Sequence, residues 1–328
     1  MGDLLWRSLT PEDVPAWVDL EAAAEAVDKT GEHFSAEDLA ETFDDETFDP
    51  GRDSWAVLDG GRLVAAGSVH GSAEVWDVHS VSCYGVVDPD YRGRGIGRRL
   101  LAGQLDRAAA MHAESHPGHP ARIAVRPYDH VTPHVALAKD AGLVPVRHWF
   151  EMGHDLRAEL VAAASVGGSL RLVPFTADRD DDVRRAHNDA FRGHFGSTER
   201  DPAAWKQWYT GSRSFRPELS FLVVDGSEGD AIAGYLLTYY YDADTQATGV
   251  KSGWVGQLGT RAPWRGRGAG TALLARALAA YADAGFDRAA LDVDSANESG
   301  ALGLYERLGF AVVRSSTSWA RELPARRR

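Results

Sequence analysis

The sequence predicts an α/β protein made of two tandem copies of one domain, and three observations carry that prediction. The chain has 328 residues, too many for one ordinary core when a domain takes about 100 to 200 residues. A glycine-rich hexapeptide occurs twice, as Arg92-Gly93-Arg94-Gly95-Ile96-Gly97 and as Arg265-Gly266-Arg267-Gly268-Ala269-Gly270. Each copy follows an apolar strand pattern and opens a Leu/Ala-rich helix pattern, so the context repeats along with the motif.

The elements follow the same order in both halves. Leu5 to Leu9 and Leu170 to Phe175 read as short opening strands. Thr10-Pro11-Glu12-Asp13 and Thr176-Ala177-Asp178 read as helix starts, a capping hydroxyl followed by acidic first-turn residues. Trp55 to Leu58 and Leu63 to His70, parted by Asp59-Gly60-Gly61, form a hairpin. Its counterpart is Phe221 to Val224 and Ile232 to Tyr241 around a Gly/Ser/Asp-rich turn. Strands are expected next over Val78 to Val87 and Ser252 to Thr260. After the loops, Leu100, Leu101, Leu105 and Ala108 recur at helical spacing, as do Leu273, Leu274, Leu278 and Tyr281. An Ala-rich run, Leu156 to Ala164, and the flexible Val166-Gly167-Gly168-Ser169 mark the joint. The expected division is a first domain at 1–156, a linker at 157–168 and a second domain at 169–328.

Composition narrows the partners. A formal net charge of -13 disfavours nucleic acid, whose affinity comes largely from clustered Lys and Arg, and suits a cationic small molecule. One cysteine, Cys83, rules out an intrachain disulfide framework or a four-thiolate metal site. Neither a leader pattern at Met1 to Leu9 nor a run of about 18 apolar residues is present, so no membrane partner and a cytoplasmic location are expected. The stretch His112 to His119, with two prolines, reads as a solvated loop; it lacks carboxylate or thiolate partners at ligand spacing, so no metal is expected.

A glycine-rich turn between strand and helix lets backbone N–H groups converge on a phosphate, with the helix dipole helping. Neither copy ends in the GK[ST] of a nucleotide-triphosphatase loop. Arg-x-x-Gly-x-Gly in this position resembles the acetyl-CoA pyrophosphate loop of the GNAT acetyltransferase superfamily: Arg265, Gly268 and Gly270 match it, and so do Arg92, Gly95 and Gly97. Downstream, Leu291-Asp292-Val293-Asp294-Ser295-Ala296-Asn297, then Ala301, Leu304-Tyr305-Glu306 and Gly309-Phe310, resemble that family's last strand and helix. The resemblance covers essentially all of residues 170 to 322 and, less strongly, 4 to 155.

It implies two tandem GNAT-like domains, each a mixed, mostly antiparallel central sheet flanked by helices, with acetyl-CoA as cosubstrate. It also implies roles. The loop Arg265, Gly266, Arg267, Gly268, Ala269, Gly270 would hold the pyrophosphate. Leu258, Gly259 and Thr260 would align the thioester, whose oxygen gains charge that a backbone N–H can stabilise. Asn297 would hold the splay that admits the pantetheine arm, unless the segment serves as a helix cap, for which Ser295 with Glu298 supplies a capping box. Tyr305 would be the general acid, since a phenol with a pKa near 10 can protonate a departing thiolate without prior ionisation; its other reading is a core residue of an amphipathic helix.

Many members carry a glutamate base on the strand before the loop, where this chain has Trp254 and no acid from Ser252 to Thr260. Asp292 and Asp294 alternate onto one strand face and could collect a proton through water, or could be plain solvated carboxylates; substrate could also arrive deprotonated. In the first half, Ala138 falls opposite Tyr305 and His130 opposite Asn297. That half is therefore expected to be non-catalytic, as scaffold or as a second CoA site using Val86, Val87, Arg92, Gly93, Arg94, Gly95, Ile96 and Gly97. An acceptor pocket would draw on Trp205, Trp208, Tyr209, Phe215, Tyr239, Tyr240, Tyr241 and Trp254, with Asp242 and Asp244 attracting an amine. The expected function is N-acetyl transfer to a primary amine of a small molecule or peptide in a ternary complex. The alternatives are a non-catalytic acyl-CoA sensor or assembly module and, more narrowly, an antibiotic-modifying acetyltransferase.

Overall fold

The structure, a computed structural model, describes residues 3–158, 166–297 and 300–326. It divides into two compact units, one of residues 1–148 with 316–328 and the other of residues 149–315. The first contains β1 (Leu5–Arg7), α1 (Val14–Asp28), α2 (Ala36–Ala40), α3 (Pro50–Asp53), β2 (Ser54–Asp59), β3 (Arg62–Gly71), β4 (His79–Val87), α4 (Ile96–Ser115), β5 (Ala121–Val125) and α5 (Thr132–Asp140). A long strand, β6 (Val144–Asp155), leads into the second unit, which contains β7 (Leu170–Pro174), α6 (Asp180–Ala190), α7 (Pro202–Trp205), β8 (Phe221–Asp225), β9 (Ala231–Tyr239), α8 (Asp242–Thr248), β10 (Ser252–Thr260), α9 (Ala269–Asp283), β11 (Arg288–Asp294) and α10 (Ala301–Arg307). The last strand, β12 (Ala311–Leu323), begins in the second unit and ends in the first.

Each unit has a mixed, mostly antiparallel sheet. In the first, β1 to β4 pair antiparallel in sequence order, β5 joins β4 parallel, and β12 joins β5 antiparallel through Trp319 to Leu323. In the second, β7 to β10 pair antiparallel, β11 joins β10 parallel, and β6 joins β11 antiparallel through Trp149 to Asp155. The repeats have thus exchanged their final strands. The linear division at 157–168 follows the repeat in the sequence, whereas the compact units follow this exchange; residues 159–165 of that joint lie outside the described residues.

The sheet of the second unit is covered on both faces, as the burial of β9 from Ile232 to Tyr239 shows. Ala233 and Leu236 face a core built with Leu273, Leu274, Ala277, Leu278 and Tyr281 of α9, while Ile232, Tyr235, Leu237 and Tyr239 face Val183, Ala186, Trp205 and Tyr209 of α6 and the adjoining segment. Alternation produces this division from Tyr235 to Tyr239, and the bulge that leaves Ala233 unpaired between the Val223 and Val224 pairs shifts the parity before it; burying each Leu contributes about 1.5 to 3 kcal/mol. α9 is Ala/Leu-rich, as a stable helix should be, and stops at Gly285 in the left-handed region, where Phe286 N–H bonds Tyr281 O.

Two expectations need correction. The histidine-rich stretch is not all loop: α4 runs to Ser115, and His112 in its last turn is buried, with its Nδ1 3.1 Å from His79 Nδ1. An apolar helix face claims that histidine because Leu101, Leu105 and Ala108 lie on the same side. The apolar run Ile232 to Tyr241 ends as strand at Tyr239, since Tyr240 N–H turns to Ser214 O and Tyr241 caps α8.

Candidate active site

β10, the loop after it, and α10 converge on one end of the second sheet. The parallel pairing of β10 with β11 stops at Val255 opposite Leu291, yet β10 continues to Thr260 and β11 to Asp294. The two strands therefore part, leaving one edge of Gly256 to Thr260 without a strand neighbour among the described residues. On its other edge β10 stays bonded to β9, with a bulge between Val255 and Gln257 that leaves Gly256 as the extra residue. Leu258, Gly259 and Thr260 thus lie along an open slot.

At the far end of the slot the chain turns through Arg265 to Gly270. Gly266 and Gly268 sit at φ 74° and 84°, the left-handed region that glycine enters without the Cβ penalty. The turn leaves the N–H groups of Gly266 to Gly270 without a partner among the described residues, at the N-terminus of α9, which is an anion-binding arrangement. Arg265 braces the turn: its Nε donates to Thr260 O at 3.1 Å and its Nη2 to Ala190 O at 3.1 Å. Two of its guanidinium nitrogens are thus tied to the backbone on either side of the turn.

Tyr305 is on α10, buried against Phe310 at a ring separation of 6.0 Å. Its neighbour Leu304 ties α10 to the loop: a Cβ on Gly270 would stand 3.4 Å from Leu304 Cδ2 and 3.8 Å from Thr260 Oγ1. Burial pushes the Tyr305 phenol up to about 12, so it keeps its proton at neutral pH. Asp294 accepts from Ala296 N–H, and Asn297 N–H donates to Asp294 O, so the end of β11 is a turn. Asp292 is exposed on β11 opposite Glu151 of β6. Of the capping pair, Ser295 is described and Glu298 lies outside the described residues.

Sequence reasoning missed three groups here. Glu151 is a buried carboxylate delivered by β6 and neutralised by Arg314 at 2.7 Å and Arg288 at 3.2 Å. Tyr235 of β9 and His187 of α6 are both buried and joined at 2.7 Å. A signal for the tyrosine existed: Gly253, Gly256 and Gly259 recur at every third position of β10, and a glycine inside a strand marks a close neighbour. Half of the aromatics suggested for an acceptor pocket are core: Trp205, Tyr209, Phe215 and Tyr239 are buried, whereas Tyr240, Tyr241 and Trp254 are partly buried and Trp208 is exposed. Asp242 lies 3.8 Å from Arg213 and 3.9 Å from Arg216.

The first unit repeats part of this geometry. Pairing of β4 with β5 stops at Ser82 opposite Ala124, and Gly93 and Gly95 take φ 74° and 82°. Arg92 again donates from Nε to a strand-end carbonyl, that of Val87 at 3.1 Å, but it is also clamped by Asp28 at 2.6 and 2.7 Å. No register shift breaks the pairing of β4 with β3. Ala138 is buried in the core, and His130 Nε2 bonds Asp28 O. Glu21 is also buried there, bonded by Tyr84 Oη and Trp17 Nε1, and burial raises its carboxyl to about 7.

The model of the acetyltransferase (GNAT) family matches residues 15–125 and again 181–310. The chain belongs to the GNAT family. It is similar to a mycothiol acetyltransferase of Tsukamurella paurometabola, 33% identical over 69% of this chain and 73% of that one. It is also similar to one of Kytococcus sedentarius, 30% identical over 94% and 95%. Among solved structures it resembles a GCN5-related N-acetyltransferase from Sphaerobacter thermophilus, with TM-score 0.74, 26% identity and coverage of 97% and 95%. A tandem GNAT protein from the clavulanic acid biosynthesis pathway shares the fold at TM-score 0.70 and 19% identity, over 98% of each chain. This tandem GNAT protein is therefore an acetyltransferase, an enzyme of a family that uses acetyl-CoA. No described helix is long and apolar enough to cross a membrane.

Proposed function

We propose that the second GNAT unit moves the acetyl group of acetyl-CoA directly to a primary amine of a small molecule or peptide. The supporting observation is one continuous path: five amides at Gly266 to Gly270 with no partner among the described residues, the open edge of β10 from Thr260 back to Gly256, and the buried phenol of Tyr305 on the helix whose Leu304 adjoins Gly270. The pyrophosphate takes the amides and the pantetheine arm follows the open edge, with Asn297 at the departing end of β11. A backbone N–H of Leu258, Gly259 or Thr260 then faces the charge that develops on the thioester oxygen.

The amine nitrogen attacks the thioester carbon, so a C–N bond forms as the C–S bond breaks and sulfur leaves as thiolate. Tyr305 donates its hydroxyl to that sulfur. A phenol near 12 gives up a proton uphill to a thiolate near 8.5, so the transfer completes as the proton shed by the amine returns the phenol to its neutral form. Asp292 and Asp294, at the slot's rim on β11, are our assignment for taking, through water, the proton that an incoming ammonium sheds before attack; the second proton, lost as the C–N bond forms, is the one that returns to the phenol. Trp254 stands where many family members carry glutamate, so the acceptor is assigned by class, a primary amine, and not by the mycothiol of the relatives' name. The acidic surface also accommodates a cationic antibiotic as that amine.

The first unit we assign as scaffold or second CoA site. Val86 and Val87 border its open strand edge and Arg92 to Gly97 supply its loop, with Ala138 where a proton donor would stand. The test is thiol release from acetyl-CoA with aminoglycosides, polyamines, amino acids and peptide N-termini, alongside calorimetric titration with CoA. Turnover with at least one amine is expected. Clear CoA binding with no thiol release from any of them would reject the acceptor class.

A further inference from the structure

The open edge of β10 presents few side chains to a molecule approaching the thioester. Leu258 packs with the core under α9, and Thr260 turns to the same side, its Oγ1 3.8 Å from where a Cβ on Gly270 would stand. Gln257 pairs with Leu237 of β9 and Gly259 with Tyr235, and residues directly opposite each other project to the same face. Leu237 and Tyr235 belong to the core on the α6 side, so Gln257 and Gly259 are directed there. The bulge residue Gly256 joins them, since a Cβ on it would meet the Tyr239 ring. From Gly256 to Thr260, Gln257 therefore supplies the one side chain on the α6 face. It is partly buried, and its carboxamide has no hydrogen-bond partner among the described residues.

The α6 face is the one an acceptor has to use. Tyr305 packs in the core on the α9 side, where the departing sulfur must lie to receive its proton. On β11, Leu291 and Val293 belong to that same core, so the alternating Asp292 and Asp294 face the α6 side, and Asp292 is exposed there. Had the parallel pairing run one residue past Val255 and Leu291, Gly256 would stand opposite Asp292. Gln257 thus borders the gap from β10 as Asp292 borders it from β11. A primary amine brings two N–H groups to this gap. One is lost as the C–N bond forms, and the other stays in the amide product. A carboxamide oxygen accepts without ever taking a proton at neutral pH, so it can hold the N–H that stays, and its hold strengthens as the nitrogen becomes positive.

We propose that Gln257 Oε1 accepts a hydrogen bond from the N–H that the attacking amine keeps, making Gln257 a substrate-contacting residue that selects primary over secondary amines. A secondary amine has a single N–H, which it must lose, and so leaves the carboxamide without a donor. This rests on the acetyl-transfer slot proposed above, with the thioester at Leu258 to Thr260.

The experiment follows thiol release from acetyl-CoA in the full-length wild type, Gln257→Leu and Gln257→Glu. The acceptors are a polyamine, an aminoglycoside, an amino acid and a peptide N-terminus, each beside its N-methyl derivative, with calorimetric binding of acetyl-CoA measured in parallel. The wild type should favour the primary amine over its N-methyl partner by roughly 10-fold or more in kcat/KM. Gln257→Leu should lower kcat/KM for the primary amine by roughly 10- to 100-fold, lose most of the preference and bind acetyl-CoA within twofold of wild type. Gln257→Glu keeps an acceptor oxygen and should keep the preference. No preference in the wild type overturns the proposal, and so does an equal loss for both amines in Gln257→Leu, which would make the side chain merely structural. A matching fall in acetyl-CoA affinity would place it on the coenzyme and also overturns it. Acetyl-CoA binding with no amine acetylated by the wild type would sink the acceptor class and this assignment together, whereas absence of acetyl-CoA binding would sink the slot itself.

Discussion

Tyr235 occupies the space that a side chain on Gly259 would need: a Cβ on Gly259 would stand 2.5 Å from Tyr235 Cε1 and 2.8 Å from its Oη. The two residues are register partners on β9 and β10, and Tyr235 is held in place by His187 Nδ1 at 2.7 Å. An aromatic ring on one strand therefore dictates the residue allowed opposite it on the next, at a position we propose lies beside the thioester. Gly259→Ala should cost about 1 to 3 kcal/mol through overpacking and lower kcat/KM for acetyl-CoA, as measured by denaturant unfolding and steady-state kinetics. A variant with wild-type stability would show that the ring gives way.

Tyr305→Phe should slow kcat by a factor of roughly 10 to 10³ and leave CoA affinity within twofold, because the hydroxyl is asked to act on sulfur only as the bond breaks. Because burial raises this phenol to about 12, the wild-type rate should show no fall from its ionisation up to about pH 10. Unaltered turnover in the phenylalanine variant would remove Tyr305 from the mechanism.

Burial lowers His187 to about 3 from the ordinary 6.5. The folded state then binds fewer protons than the unfolded state between those values. His187 contributes stability that is full above pH 6.5 and is lost as pH falls toward 3, at up to about 1.4 kcal/mol per pH unit. Urea unfolding followed by the fluorescence of Trp205, which lies 5.2 Å from the His187 ring, should show this decline. A midpoint that is level from pH 6.5 to 4.5 would contradict it.

Glu21 in the first unit behaves with the opposite sign. Its carboxyl rises from the ordinary 4.5 to about 7, so the folded state holds a proton that the unfolded state has shed. Its contribution is fully present below pH 4.5 and is lost as pH rises through 7. Glu21→Gln keeps an acceptor for Trp17 Nε1 and should flatten the pH dependence of unfolding between pH 4.5 and 7. An identical pH profile in wild type and variant would show that the carboxyl ionises normally.

The parts of the site that follow from local chemistry were legible in the sequence. The positive φ angles at Gly93, Gly95, Gly266 and Gly268 are what only glycine adopts at low cost, so the two loops could be read from residue type and spacing. Tyr305 was legible by resemblance, as was its absence at Ala138. Tyr235 was not, because it sits in an apolar run whose period says only that the strand is buried on both faces. The glycine that makes room for it, Gly259, lies on a different strand, and pairing the two required the register of β9 with β10. Glu151 was missed for the same reason, since it reaches the second unit on a strand that belongs to the first repeat.

By itself the sequence determined the repeat, the order of strands and helices within each copy, and the loops that turn backbone amides toward an anion, because each depends on residues close together in the chain. Only the tertiary structure decided that β6 completes the second sheet and β12 the first. A strand's backbone can pair with either of two equivalent sheet edges, so local residue pattern does not name the edge, and the pairing of β6 with β11 is what brings Glu151 beside that strand.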